Sequence, residues 1–190
     1  MKVRDSGMPG VSYWESLFNV PLILERFGIG NLTGDIVELG CGYGTFTIPV
    51  AQQIQGTLTT FDIEPDMVEY TQNRLVEKNI HNVIVQQRDV LKAGYGLPEE
   101  SVSACLLFNI LHHDNPVDLL RLSAHIVRKG GWVLVMHWVF DPKTPRGPSL
   151  TIRPKPEDIV RWAEETTLLA HTGKVLDLPP WHYGLGLQRI

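Results

Sequence analysis

The sequence predicts a three-layer α/β sandwich with a mostly parallel sheet. Short apolar runs of strand length alternate with segments of helical periodicity, which is the order expected of parallel strands covered by helices on both faces. A glycine-rich turn, residues 40–44, follows the first apolar run and leads into a helical segment. The 190 residues suit a single domain over 1–190.

The predicted elements follow this alternation along the chain. Strands are predicted at residues 36–39, 57–63, 83–87, 104–110 and 132–138, and two more at the C-terminal end. Helices are predicted directly after the glycine turn and at 65–78, 115–130 and 157–170, with Glu64 as the cap of the second of these four. Residues 91–101 are expected to form a loop, and residues 141–156 a proline-rich one.

The N-terminal segment, residues 1–30, precedes the first predicted strand and has room for one or two short helices. Most of it is predicted to pack on the sheet. A second interpretation is a lid over a ligand, which would carry Tyr13, Trp14 or Glu15.

Composition and charge exclude several classes of function. Hydrophobic residues make up 43% of the chain, and 17 basic and 21 acidic residues give a net charge of -4 without a basic cluster, so no nucleic-acid partner is expected. The sequence has no apolar run of membrane-spanning length and no signal-peptide pattern at its start, so we expect a cytoplasmic protein without membrane contact. It carries no signal for an oligomeric state.

The two cysteines do not have the spacing of a metal site. Cys41 and Cys105 are far apart in sequence and are predicted to be reduced, buried thiols. The histidines form no i, i+4 pair either, so no metal is expected.

The glycine spacing distinguishes between two cofactors. A dinucleotide-binding turn, G-x-G-x-x-G, would need glycine at position 45, which is Thr45, and this disfavours NAD and an oxidoreductase. The stretch Glu38-Leu-Gly-Cys-Gly-Tyr-Gly44 resembles motif I of the class I S-adenosylmethionine-dependent methyltransferases. A tight turn without a ligand is the alternative for this motif alone. The resemblance covers about residues 30–140.

The resemblance implies a Rossmann-like methyltransferase fold, a seven-stranded sheet with an antiparallel C-terminal hairpin strand, and S-adenosyl-L-methionine as cofactor. Asp62 ends the second predicted strand, where a carboxylate can accept hydrogen bonds from both ribose hydroxyls. The resemblance further places Asp89 and Val90 at the adenine, and Phe108 and Asn109 at the methionine end. The predicted cofactor-binding residues are Glu38, Gly40, Cys41, Gly42, Gly44, Asp62, Ile63, Asp89, Val90, Phe108 and Asn109.

Three histidines are candidates for a general base. If the C-terminal hairpin forms, His112, His137 and His182 share the edge of the sheet where ligands of α/β folds bind. A histidine can accept a proton near neutral pH, as methyl transfer to oxygen or nitrogen often requires. In the alternative interpretation, His137 is a core histidine with satisfied hydrogen bonds, and the hairpin residues only pack.

The sequence therefore predicts a methyltransferase that uses S-adenosylmethionine and a small-molecule acceptor. The second hypothesis is a methyltransferase-like protein that binds the cofactor without transferring a methyl group. Ser103 keeps this hypothesis open, because the resembled family often carries an acid at this position.

Overall fold

The strand segments assemble into one mixed sheet in the computed structural model, which describes residues 9–171 and 173–190. The described strands are β1 (Ile36–Leu39), β2 (Leu58–Asp62), β3 (Val83–Gln87), β4 (Val102–Phe108), β5 (Val127–Trp138), β6 (Leu169–His171), β7 (Leu176–Leu178) and β8 (His182–Arg189). Their order is β3-β2-β1-β4-β5-β8-β6, with β7 also paired to β8. Strands β1 to β5 are parallel, whereas β8 is antiparallel to β5.

The fold class predicted from the sequence is confirmed. The described strands number eight rather than seven, because residues 176–178 pair with the first residues of β8 while β6 pairs with its last ones. The hairpin predicted at the sheet edge is thus formed by β7 and β8, with residues 179–181 between them.

Helices cover both faces of the sheet. The described helices are α1 (Val11–Glu15), α2 (Val20–Phe27), α3 (Thr47–Gln53), α4 (Pro65–Glu77), α5 (Val90–Ala93), α6 (Pro116–Ile126) and α7 (Pro156–Glu165). Buried residues of α2 and α3 share one apolar cluster with one face of the sheet, and those of α6 and α7 share a second cluster with the other face. The two clusters define a three-layer sandwich. None of the described helices is long and apolar enough to cross a bilayer.

Several boundaries differ from the predicted ones. Residues 90–93 form the single turn α5 where a loop was expected, because Asp89 caps it by accepting a hydrogen bond from the Lys92 amide at 3.3 Å. The helix α6 ends at Ile126 instead of near residue 130, since Val127 already pairs with Val102 in the sheet.

The N-terminal segment contains two different helices. Residues 1–8 of it lie outside the described residues. Helix α2 packs through Ile23, Leu24 and Phe27, whereas α1 has no buried residue. The ion pair between Glu15 and Arg74, 2.7 Å, ties α1 to α4. Packing on the sheet is therefore the role of α2, whereas α1 is at the surface except for Trp14, which packs partly against the same apolar cluster.

Candidate active site

A cavity of about 400 Å³ opens at the carboxyl ends of the parallel strands. This is where open α/β sheets bind their ligands. Its walls include ten of the eleven predicted cofactor-binding residues, Glu38, Gly40, Cys41, Gly42, Asp62, Ile63, Asp89, Val90, Phe108 and Asn109, and one predicted catalytic residue, His112. Four separate strand ends thus contribute to one cavity.

Glu38 is a buried carboxylate in the cavity wall. It lies next to Thr60 in the parallel register of β1 and β2, and one of its oxygens, Oε2, accepts hydrogen bonds from Thr60 Oγ1 at 2.7 Å and Thr47 Oγ1 at 2.6 Å. Burial raises the pKa of Glu38 to about 7, although the two threonine hydrogen bonds oppose this rise. A cationic group of a ligand in the cavity would stabilise the ionised form.

Asp62 connects the glycine turn to the end of β2. Its Oδ2 accepts a hydrogen bond from the Gly42 amide and its Oδ1 one from the Glu64 amide, both at 3.0 Å. Glu64 stands at the N-cap position of α4, but its side chain makes no capping hydrogen bond, which corrects the predicted role. The oxygens of Asp62 retain further lone pairs for ligand hydroxyl groups.

Two positions of the turn favour glycine, because the backbone there has a positive φ and neighbouring side chains lie close. Gly40 has a φ of +88°, and a Cβ there would lie only 2.8 Å from Ile110 Cδ1. Gly44 does not line the cavity. It has a φ of +74° and faces Thr71 of α4, whose hydroxyl donates a hydrogen bond to the Gly42 carbonyl at 2.9 Å. Gly44 therefore allows the turn to pack against α4, on the side away from the cavity.

Cys41, in the same turn, is a free thiol. Burial is the main cause that raises its pKa, and the Asp62 carboxylate adds to the rise. The thiol is thus protonated in the cavity wall.

Asn109 ends β4 in an uncommon backbone conformation. Its φ is +58°, in the left-handed region that asparagine tolerates better than most residues. Its amide donates to the Met136 carbonyl at 2.8 Å, and its side-chain Oδ1 is buried without a hydrogen-bond partner among the described residues. Since buried polar atoms are normally paired, this oxygen is a free acceptor for a ligand donor.

The three candidate histidines occupy different positions. His112 lines the cavity, and its Nδ1 is 3.1 Å from Nε2 of His137, which is fully buried on β5 and does not line the cavity. Burial and the neighbouring His112 hold the pKa of His137 well below its ordinary value. Of these two histidines, only His112 is placed to contact a ligand.

His182 lies within an aromatic cluster. Its ring stacks on Phe18, 4.7 Å between ring centroids, and is 4.2 Å from Trp138. It does not line the cavity, and neither ring nitrogen has a hydrogen-bond partner among the described residues. Burial, with a smaller contribution from the Arg153 charge, lowers the pKa of His182 to about 3.

Alternation along the strands separates these histidines. His137 pairs with Tyr183, and Trp138 pairs with His182, in the antiparallel register of β5 and β8. Successive side chains of a strand point to opposite faces. Tyr183 belongs to the α6/α7 cluster and Trp138 to the α2/α3 cluster, so His182 and His137 lie on opposite faces of the sheet.

Other residues of the cavity wall were not predicted as site residues. Aromatic residues and part of the proline-rich loop also line the cavity, namely Trp14, Phe46, Trp138, Arg146, Gly147 and Pro148. Of these, Trp14 had been named as a possible lid residue, and the proline-rich composition of residues 141–148 was the only signal for the loop.

A single buried guanidinium holds this loop in place. Arg153 donates to the Pro148 carbonyl from Nη2 at 2.7 Å, to the Val139 carbonyl from Nη1 at 2.9 Å, and to Thr144 Oγ1 at 2.6 Å. Gly147 has a φ of +119°, and a Cβ there would lie 2.8 Å from Arg153 Nη2. The loop is thus held at the cavity by hydrogen bonds from a residue 5 to 14 positions further along the chain.

Ser103 lies at the other end of the sheet. It is at the amino end of β4, about 16 Å along the strand from Phe108 at about 3.3 Å per residue. Its hydroxyl donates to the Asp35 carbonyl at 2.9 Å. The lack of an acid at this position therefore leaves the cavity unchanged.

Comparisons with known proteins agree with this geometry. A family model described as a methyltransferase domain matches residues 36–131, just over half of the chain, so the chain belongs to that family. Together with the fold, the match assigns it to the class I S-adenosylmethionine-dependent methyltransferases, with S-adenosylmethionine as cofactor. No curated protein sequence matches the chain significantly.

Solved structures share the fold at low sequence identity. An S-adenosylmethionine-dependent methyltransferase from Aquifex aeolicus has a TM-score of 0.81 at 18% identity, covering 95% of this chain and 94% of its own. A geranyl diphosphate methyltransferase in complex with S-adenosylmethionine has a TM-score of 0.68 at 15% identity, with coverages of 97% and 93%. A geranyl diphosphate C-methyltransferase from Streptomyces coelicolor has a TM-score of 0.73 at 13% sequence identity. The match covers 90% of this chain and 76% of the other.

The residues present fit this cofactor. The buried carboxylate of Glu38 suits a cationic amino acid group, and the unpaired Asn109 oxygen suits one of its donors. Among the described residues, no cluster of three or more histidine, cysteine, aspartate or glutamate side chains could hold a metal ion.

Proposed function

We propose that the protein transfers a methyl group from S-adenosylmethionine to an O–H or N–H group of a small-molecule acceptor. The observation that carries this proposal is that a buried carboxylate, a glycine turn and a histidine line the same cavity at the carboxyl ends of the strands.

The cofactor would be held by the four strand ends. Asp62, with Ile63 beside it, would meet the ribose hydroxyl groups, and Asp89 and Val90 the adenine. Glu38, the glycine turn and Asn109 would hold the amino acid part. When bound, S-adenosylmethionine supplies an electrophilic methyl group, so the remaining tasks of the protein are to align the acceptor and exclude water.

His112 is the proposed general base. It lines the cavity, and its Nδ1 is 3.1 Å from Nε2 of His137, so its imidazole lies where an acceptor could give up a proton. His182 is assigned a structural role, since it does not line the cavity and its ring packs behind Trp138, which does.

The acceptor is proposed to be small and partly aromatic. The cavity of about 400 Å³ is at the lower end of the range of about 300–1,000 Å³ that is usual for ligand pockets, and the cofactor would fill much of it. Trp14, Phe46 and Trp138 provide flat apolar walls, and Arg146 lines the same cavity. Phenols with and without a carboxylate are therefore the first acceptors to test.

The experiment has two stages. Calorimetric titration with S-adenosylhomocysteine, with NAD in parallel, tests the cofactor site, and stoichiometric binding of the first alone is expected. Turnover is then measured as formation of S-adenosylhomocysteine over the acceptor panel. Binding without turnover on any O–H or N–H acceptor would favour the binding protein over the enzyme.

The base is tested with two variants. His112→Gln keeps a polar side chain that can bond to His137 but cannot act as a base, so turnover should fall by about 10²–10⁴-fold with unchanged cofactor affinity. His182→Phe is the matched control and should keep turnover. Full activity of His112→Gln would refute the base assignment.

A further inference from the structure

Thr45 has a buried hydroxyl group in the wall of the cavity. The residue directly follows the last glycine of the turn, at the position where a dinucleotide-binding turn would need glycine. It lines the cavity, it is 8% exposed, and its Oγ1 has no hydrogen-bond partner among the described residues. The hydroxyl is therefore a polar group at the cavity whose hydrogen-bonding capacity the folded chain leaves unused.

Two threonines nearby in the fold do have a partner within the chain. Thr47 and Thr60 donate from Oγ1 to Glu38 Oε2, at 2.6 and 2.7 Å. A buried hydroxyl without such a partner is less favourable than a methyl group of similar size, because it has lost its hydrogen bonds to water. The Thr45 hydroxyl is thus of use to the protein only if a ligand supplies the partner.

The chain path places Thr45 close to the buried carboxylate of Glu38. Thr47, which binds Glu38, is two residues further along the chain, so the Cα atoms of Thr45 and Thr47 are at most about 7 Å apart. Thr45 and Glu38 line the same cavity. Thr45 therefore lies at the end of the cavity that is proposed to hold the amino acid part of the cofactor.

Donor and acceptor character decides which group of the amino acid part suits the hydroxyl. An ammonium group only donates hydrogen bonds, and a carboxylate only accepts them. The Glu38 carboxylate and the unpaired Asn109 Oδ1 are acceptors, so both suit the ammonium group. The Thr45 hydroxyl has a proton to donate, so it suits the carboxylate, which is attached to the same carbon atom as the ammonium group.

We propose that the Thr45 hydroxyl donates a hydrogen bond to the carboxylate of the amino acid part of S-adenosylmethionine, next to the ammonium group bound by Glu38. This inference rests on the proposed function, in which the cavity binds this cofactor. Thr45 then makes the site selective for a cofactor that carries the carboxylate.

The test compares two ligands that differ only in this carboxylate, S-adenosylmethionine and its decarboxylated form. Both are titrated calorimetrically into the wild type, Thr45→Val and Thr45→Ser. Thr45→Val replaces the hydroxyl by a methyl group, so S-adenosylmethionine should bind about tenfold to a hundredfold more weakly, while the decarboxylated form stays within about twofold. Thr45→Ser retains the hydroxyl and should keep most of the wild-type affinity for both ligands.

The matched control is Thr59→Val. Thr59 is also 8% exposed but does not line the cavity, so this variant should bind both ligands as the wild type does. Full affinity of Thr45→Val for S-adenosylmethionine, or an equal loss for both ligands, would overturn the assignment while the proposed function stands. Failure of the wild type to bind either ligand would instead refute the proposed function, and this inference with it.

The stability of the variants without ligand gives an independent readout. Since the Thr45 hydroxyl has no partner among the described residues, Thr45→Val should unfold at the urea concentration of the wild type or at a higher one. Thr47→Val, which removes a hydrogen bond to Glu38, should unfold at a lower concentration. A lower midpoint for Thr45→Val would mean that its hydroxyl is paired within the protein, and would overturn the proposal.

Discussion

The aromatic environment of His182 predicts a measurable sensitivity to acid. The side chain is only 1% exposed, and neither nitrogen has a hydrogen-bond partner among the described residues. Its pKa is about 3 in the folded protein, whereas an unfolded chain has an ordinary value of about 6.5. Between these pH values the unfolded state binds a proton that the folded state does not, so the free energy of unfolding falls as the pH decreases.

The magnitude follows from linkage. Each pH unit below about 6.5 costs about 1.4 kcal/mol for one such group, and the effect is absent above that pH. Between pH 7.5 and 4.5, His182 should therefore remove about 2.7 kcal/mol of stability. His182→Phe eliminates this contribution, so the loss between pH 7.5 and 4.5 should be smaller in the variant by the same amount.

The assay is urea unfolding monitored by tryptophan fluorescence at both pH values. Any packing strain from phenylalanine between Phe18 and Trp138 affects the variant equally at each pH and cancels in the difference. The contributions of His137 and the carboxylates cancel between the two proteins. His81→Phe is the matched control, because that ring is exposed, and it should keep the wild-type loss. Equal losses in wild type and His182→Phe would mean that His182 is solvated or paired when folded.

Three further predictions concern the cavity. S-adenosylhomocysteine affinity should rise about tenfold from pH 6 to 8 and then level off, because a cationic group favours the ionised form of Glu38, whose pKa is about 7. Calorimetry should find this dependence absent in Glu38→Gln. Asp62→Ala should weaken cofactor binding by about 2–4 kcal/mol, and unchanged calorimetric affinity would exclude the ribose role. Lysine cannot reproduce the planar set of donors of Arg153, so amide hydrogen exchange in residues 141–149 should accelerate about tenfold or more in Arg153→Lys. Arg161 is exposed, so the control variant Arg161→Lys should leave this exchange unchanged.

The cofactor end of the cavity was predictable because parallel strands end at the same edge. Glu38, Asp62 and Asn109 each come directly at or after an apolar run, and the fold necessarily brings such positions together. The partners of Glu38 could not be found in this way. Thr60 becomes a partner only through the register of β1 and β2, and Thr47 only through the path of the chain after the glycine turn.

The histidines show where strand-end reasoning fails. All three do lie near one edge of the sheet, as predicted. Whether a side chain faces a cavity or a core, however, depends on which face it occupies, and this requires the antiparallel register between β5 and β8. Adjacent residues of β8, His182 and Tyr183, point to opposite faces, so sharing an edge did not bring His182 to His112.

The two ends of the cavity rest on different kinds of structure. The cofactor end is built from strand ends whose positions are fixed by sheet hydrogen bonds and by Asp62, which binds the glycine turn directly. The proline-rich loop is instead held by hydrogen bonds from the Arg153 guanidinium and by the backbone conformation of Gly147. Substitutions in residues 139–153 can therefore reshape the proposed acceptor end while the cofactor end keeps its geometry, which is the separation expected when one chemistry serves different acceptors.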